Sequence, residues 1–83
     1  MSSQIIPSSL REIFADTLEI APEEVTPELN GDSVETWDSF RHLQLFLSLE
    51  NEYGVQFDPQ EIPELTSVAK IQAALERKGA KLA

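Results

Sequence analysis

A carboxylate, a hydroxyl and an imidazole fall within five consecutive residues, Asp38-Ser39-Phe40-Arg41-His42. Acyl-transfer catalysis needs a nucleophile, a base and an orienting group, and a serine and a histidine three apart share one helical face. The surroundings do not complete such a site. No strand-turn-helix elbow of the G-x-S-x-G kind holds Ser39, and no glycine-rich stretch offers an oxyanion hole. His42, the only histidine, reads instead as a partly covered side chain near Leu49 and Tyr53 on the helical wheel. Asp32, Glu35 and Asp38 recur every three residues, yet a calcium loop read from Asn30 puts Val34 at position 5, Glu35 at 6 and Arg41 at 12, where oxygen ligands and a glycine are needed. A solvated acidic loop is the simpler reading, and no metal site is assigned. What distinguishes Ser39 is its place. With Asp38 as N-cap it opens a helix, so its oxygen lies beside free backbone amides and the positive end of the dipole. A phosphate ester on that oxygen suits this setting; the plain alternative is an ordinary first-turn serine beside an Asp cap.

The elements that must position these residues are helices. Ser9 and Glu12 form a capping-box pattern ahead of the stripe Leu10, Ile13, Phe14 and Leu18, and Pro22 is expected to stop that first helix. A long connection from Glu23 to Trp37 has no sustained period, though Val25, Leu29 and Val34 can pin it to a core. The second helix is predicted over Ser39 to Tyr53, with Gly54 just past its end. Phe40, Leu43, Leu45, Phe46, Leu47, Leu49 and Tyr53 take more than half of its wheel, which predicts cover from several neighbours, while Arg41, Gln44, Ser48, Asn51 and Glu52 share the remaining arc. Asp58-Pro59-Gln60-Glu61 opens a single short turn that Pro63 should end, and a last helix from Ser67 to Lys78 carries Val68, Ile71, Ala74 and Leu75 on one side. No segment alternates with period two for long. The expected fold is all-α, a small bundle of three main helices plus one short helix, forming a single domain over 1–83 with its core at about 9–78.

Composition narrows the partners. The 83 residues include no cysteine, so the chain has no disulfide, no thiolate and no Cys/His zinc set, and its stability must come from packing. The net charge is -9, and fourteen of the fifteen acids lie between residues 12 and 64 with Arg41 as the one base among them. Phosphate backbones and anionic lipid would repel that stretch, so nucleic acid and membrane are poor partners and basic protein surfaces good ones. No apolar run exceeds three residues and the first residues carry no basic cluster, so neither a membrane span nor a signal peptide is expected. These features predict a cytoplasmic monomer.

The framework as a whole resembles the acyl carrier protein family over roughly residues 9 to 76. It comprises an amphipathic first helix, a long acidic loop, Asp38-Ser39 plus a bulky apolar residue opening the second helix, Glu50-Asn51-Glu52-Tyr53 closing it, a short element after Asp58-Pro59, and Thr66-Ser67-Val68 opening the last. The resemblance implies that Ser39, flanked by Asp38, is the attachment point for 4'-phosphopantetheine, transferred from coenzyme A by a phosphopantetheinyl transferase. The thiol of that arm would carry the acyl group as a thioester, which accounts for a chain without cysteine. It further implies no catalysis by the chain itself. Its role would be that of a free-standing carrier presenting cargo to loading and processing enzymes with basic docking surfaces, through Trp37, Phe40, Arg41 and Gln44 at the start of the second helix. Trp37 reads mainly as a lid on the core. Many family members have glycine near the Asp-Ser pair, leucine after it and strongly acidic opening turns, whereas this chain has Trp37, Phe40, Arg41 and Gln44. That departure favours a dedicated partner in a pathway-specific biosynthesis over general fatty-acid synthesis. An aminoacyl or peptidyl carrier, and an acidic helical interaction module without a prosthetic group, are the alternatives. Phe46 and Phe57 are expected to fill the interior.

Overall fold

In the computed structural model, which describes residues 6–80, three α-helices alternate with two single 3-10 turns. The helices are α1 (Ser8–Leu18), α2 (Ser39–Tyr53) and α3 (Val68–Arg77), and the turns lie at Pro22–Glu24 and Ile62–Glu64. Among the described residues there is no strand, only an isolated antiparallel bridge between Asn30 and Ser67. Each helix gives one stripe to a common core: Leu10, Phe14 and Leu18 from α1, Leu45, Phe46 and Leu49 from α2, and Val68, Ile71 and Leu75 from α3. Spacings of three and four put each set on one face, and removing that face from water drives the assembly. The all-α expectation and the bounds of α2 agree with this structure.

Four local expectations are corrected. Helix α1 begins one residue early, behind Pro7, with no side-chain cap. Ser9 therefore sits inside the first turn, and its hydroxyl pairs with the Tyr53 hydroxyl at 2.8 Å instead of forming a capping box with Glu12. The helix also ends before Pro22, because Glu19 adopts a left-handed conformation with φ 60° that turns the chain aside. Pro22 instead opens the first 3-10 turn, where its missing N–H costs nothing. Pro63 likewise lies inside the second 3-10 turn instead of ending a preceding one. Finally, Phe40, Leu43 and Leu47 on α2 have no cover, standing 68%, 51% and 58% exposed. Three helices of this length surround only part of a wheel so widely apolar.

The long connection is held because α3 needs it. The first amides of a helix have no partner within it. Here Val68 N–H donates to the Leu29 carbonyl at 3.0 Å, Ala69 N–H to the Pro27 carbonyl at 3.1 Å and Lys70 N–H to the Ser67 hydroxyl at 3.2 Å. Gly31 N–H returns a bond to the Thr66 carbonyl at 3.3 Å, and Val25 and Val34 bury themselves in the core. Arg11 draws the start of the same connection back, donating to the Pro22 and Val25 carbonyls at 2.9 Å each. The segment between α2 and α3 is tied at two points. Glu50 accepts from Phe57 N–H at 2.9 Å, and Glu61 accepts both from Asp58 N–H at 2.8 Å and from Lys78 Nζ at 2.8 Å. The Lys78 ammonium and the Asp58 amide hold the Glu61 carboxyl below its ordinary value.

Two stability measurements check this packing. In urea, Leu49→Ala should cost about 2–5 kcal/mol, while the neighbouring Leu47→Ala stays within about 0.5 kcal/mol of wild type, because only the first opens a cavity. Because folding lowers the Glu61 pKa, the contribution of its ion pair is fully present above the ordinary carboxyl value of 4.5 and is lost as pH falls through the lower folded value. Glu61→Gln should therefore lose at most about 1 kcal/mol at neutral pH and approach wild-type stability in acid, read as denaturation midpoints across pH 2.5 to about 7.

Candidate functional site

The site is built at the start of α2. Asp38 has extended backbone, and its carboxylate accepts from Arg41 N–H at 2.9 Å, so it is the N-cap the sequence predicts. Its carbonyl also accepts His42 N–H at 2.9 Å, the first rung of the helical ladder. Ser39 is then the first helical residue, and it is exposed. The Ser39 and Phe40 amides precede that ladder and point out of the helix end, where the dipole favours negative charge.

Beside Ser39 lies an open cleft of about 680 Å³ whose lining includes Trp37, Ser39, His42, Leu43, Ile62 and Pro63. Trp37 and His42 fix its inner side. The indole Nε1–H of Trp37 donates to His42 Nδ1 at 2.9 Å, so Nε2 carries the imidazole hydrogen and donates to the Ile62 carbonyl at 2.7 Å. One side chain thereby joins the loop before α2, α2 itself and the second 3-10 turn. The ring contacts run on as a row: Phe14 to Trp37 at 5.9 Å, Trp37 to His42 at 6.0 Å, His42 to Phe46 at 4.9 Å and Phe46 to Phe57 at 4.7 Å.

The structure divides the residues singled out from the sequence. Asp38, Ser39 and His42 come together at the cleft. Trp37 is 6% exposed and packs on Phe14, so most of its surface lies in the core and the remainder lines the cleft. Arg41 does not project along the outer arc. Its guanidinium folds back to donate to the Thr17 carbonyl at 3.1 Å and to pair with Glu19 at 3.3 Å, closing the C-terminal end of α1. Phe40 and Gln44 are exposed, and Leu43 and Leu47 join them on the outer surface of α2. The sequence signal for those two leucines was the excess width of the apolar arc. His42 was placed correctly as partly covered, but its Trp37 and Ile62 partners come from other elements and no helical wheel shows them.

An exposed primary hydroxyl at a helix N-terminus suits a phosphodiester, and the adjoining cleft, apolar at Leu43, Ile62 and Pro63, suits an extended arm of amides and methylenes. No group of His, Asp or Glu side chains among the described residues is arranged to hold a metal ion, and no described helix is long and apolar enough to cross a membrane. Comparison with known proteins points the same way. A family model described as a phosphopantetheine attachment site matches residues 8–75. The chain is 31% identical over 71 residues to an acyl carrier protein of Thermosynechococcus vestitus, covering 86% of this chain and 88% of that one. It is 36% identical over 73 residues to polyketide-8 synthase acyl carrier protein 2 of Streptomyces avermitilis, covering 88% of this chain and 80% of the other. With the family model matching most of its length and both relatives covered over 80% or more, the chain belongs to the acyl carrier protein family, whose prosthetic group is 4'-phosphopantetheine.

Proposed function

We propose that Ser39 is the attachment point and that the protein is a free-standing carrier, presenting acyl groups to partner enzymes of a dedicated biosynthetic pathway in the cytoplasm. The observation that carries this reading is the exposed Ser39 hydroxyl, held as the first residue of α2 at the mouth of the cleft in a chain of this family. In the modification step Ser39 Oγ attacks the phosphorus of coenzyme A nearest the pantetheine. A serine–phosphorus ester bond forms, the diphosphate bond breaks, adenosine 3',5'-bisphosphate leaves, and the serine proton passes to the transferase. Asp38 holds the helix end in place through Arg41 N–H, and the first-turn amides offset the charge of the new phosphodiester. When attached, the arm supplies the thiol on which cargo travels as a thioester. Pathway-specific action is supported by the polyketide-synthase carrier among the relatives.

Partner recognition is assigned to the outer surface of α2. Phe40, Leu43 and Leu47 give it an apolar stripe with Gln44 alongside, and the acidic segment before α2 steers a basic partner surface toward it. Charge then sets the encounter rate and the stripe sets the lifetime of the complex.

Incubation with coenzyme A, magnesium and a broad-specificity phosphopantetheinyl transferase should add one phosphopantetheine to the wild-type mass and none to Ser39→Ala, with helicity equal in both. An unmodified wild type would leave the reading of an interaction module without a prosthetic group. Separately, Phe40→Ala and Leu47→Ala should each raise the KM of a cognate loading enzyme by about tenfold while leaving stability unchanged, measured by steady-state kinetics and urea melts.

A further inference from the structure

The inward path from Ser39 is blocked by side chains of its own helix. Residues 39, 42, 46 and 49 follow one another at helical spacing, so anything tethered to Ser39 that turns inward along α2 meets His42, then Phe46, then Leu49. His42 is latched at both nitrogens, to Trp37 at 2.9 Å and to the Ile62 carbonyl at 2.7 Å, which closes α2 against the second 3-10 turn. Behind it Phe46 is 1% exposed and meets Phe57 edge-on at 4.7 Å, and the Lys78 ammonium lies 5.1 Å from the centroid of the Phe57 ring. Admitting an alkyl chain would require both His42 bonds to break and the aromatic row to part. Breaking these two part-buried hydrogen bonds opposes that opening. The cleft outside the latch is open to solvent and already formed.

We propose that His42 is a specificity-determining residue that excludes cargo from the core, so that this carrier serves short acyl or aminoacyl groups resting in the open cleft and does not enclose long alkyl chains. The proposal rests on Ser39 being the attachment point. Burying as few as two methylenes shifts a population by roughly tenfold, so enclosure leaves a large signal in the reactivity of the thioester.

The test loads the protein with acetyl- and dodecanoyl-phosphopantetheine from the corresponding coenzyme A thioesters. It then measures hydroxylamine cleavage of each thioester together with the amide spectra of Phe46, Leu49, Ile71 and Leu75. For wild type, cleavage rates within about twofold of each other and unshifted core amides are expected, since neither cargo leaves solvent. His42→Ala, and His42→Leu as a variant that keeps side-chain volume while losing both bonds, should protect the dodecanoyl thioester by about tenfold and shift the core amides, with acetyl unaffected. Protection of the dodecanoyl form in wild type overturns the proposal even if loading succeeds. So does an unprotected dodecanoyl thioester in whichever His42 variant retains wild-type helicity. Should neither variant fold, the wild-type comparison decides alone. Failure to load at Ser39 at all refutes the attachment site itself and is recognised by the unchanged mass.

Discussion

The imidazole of His42 is the joint on which the site depends. Its two nitrogens reach elements on either side of α2 in sequence, Trp37 from the loop before and Ile62 from the turn after, through two part-buried hydrogen bonds. A hydrogen bond of this kind contributes about 1 kcal/mol, a noticeable share of what so small a core supplies. The same two bonds fix which hydrogen the ring carries, and with it the ring's orientation between Trp37 and Phe46. The cleft beside Ser39 exists because these three elements stand in fixed relation. Asp38 then fixes the helix end from which Ser39 projects, so the Ser39 hydroxyl has a defined place at the mouth of the cleft.

Helix α2 carries two demands on opposite sides. Its inner face, Leu45, Phe46 and Leu49, is fully enclosed in the core to which α1 and α3 also contribute. Its outer face keeps Phe40, Leu43 and Leu47 in water, at a free-energy cost that folding of the isolated chain does not recover. Apolar side chains clustered in that way on one exposed helix face are a feature of surfaces that meet other proteins. Arg41 sharpens the division. By turning back onto the carbonyl of Thr17 and the carboxylate of Glu19, it stabilises the α1–α2 joint and withdraws the only cation of the acidic stretch from the outer surface. The exposed side chains left along that side of α2, Phe40, Leu43, Gln44 and Leu47, are apolar or uncharged.

The sequence made the helices legible where local rules act alone. Asp38, Gly54 and Ser67 mark ends of α2 and α3 through caps that need only neighbouring backbone, and the stripes of α1 and α3 follow from spacing. Ser39 was legible for the same reason, since an N-cap fixes what the next residue faces. Reading failed where a partner distant in sequence decides. Ser9 looks like a cap but is claimed by Tyr53, 44 residues away, and Arg41 looks exposed but is claimed by the end of α1. Pro22 was taken as the stop of α1, yet Glu19 turns the chain first, through a left-handed conformation that glutamate seldom adopts and no composition rule anticipates. The breadth of α2's apolar arc was visible, but whether breadth means deep burial or a bare face depends on how many neighbours exist, and only the assembled fold shows that.

A chain without cysteine that hands its chemistry to a detachable thiol separates two properties that an enzyme must reconcile. Active sites commonly hold strained or desolvated groups at the expense of stability, whereas here the polypeptide is free to use its aromatic row entirely for packing. The nucleophilic sulfur would come with the prosthetic group, so the chain itself need not hold a thiolate at a depressed pKa. On the proposed reading, the contribution left to the fold is geometric: an origin for the arm at the start of α2, an exposed apolar face along that helix, and a packed aromatic interior behind it.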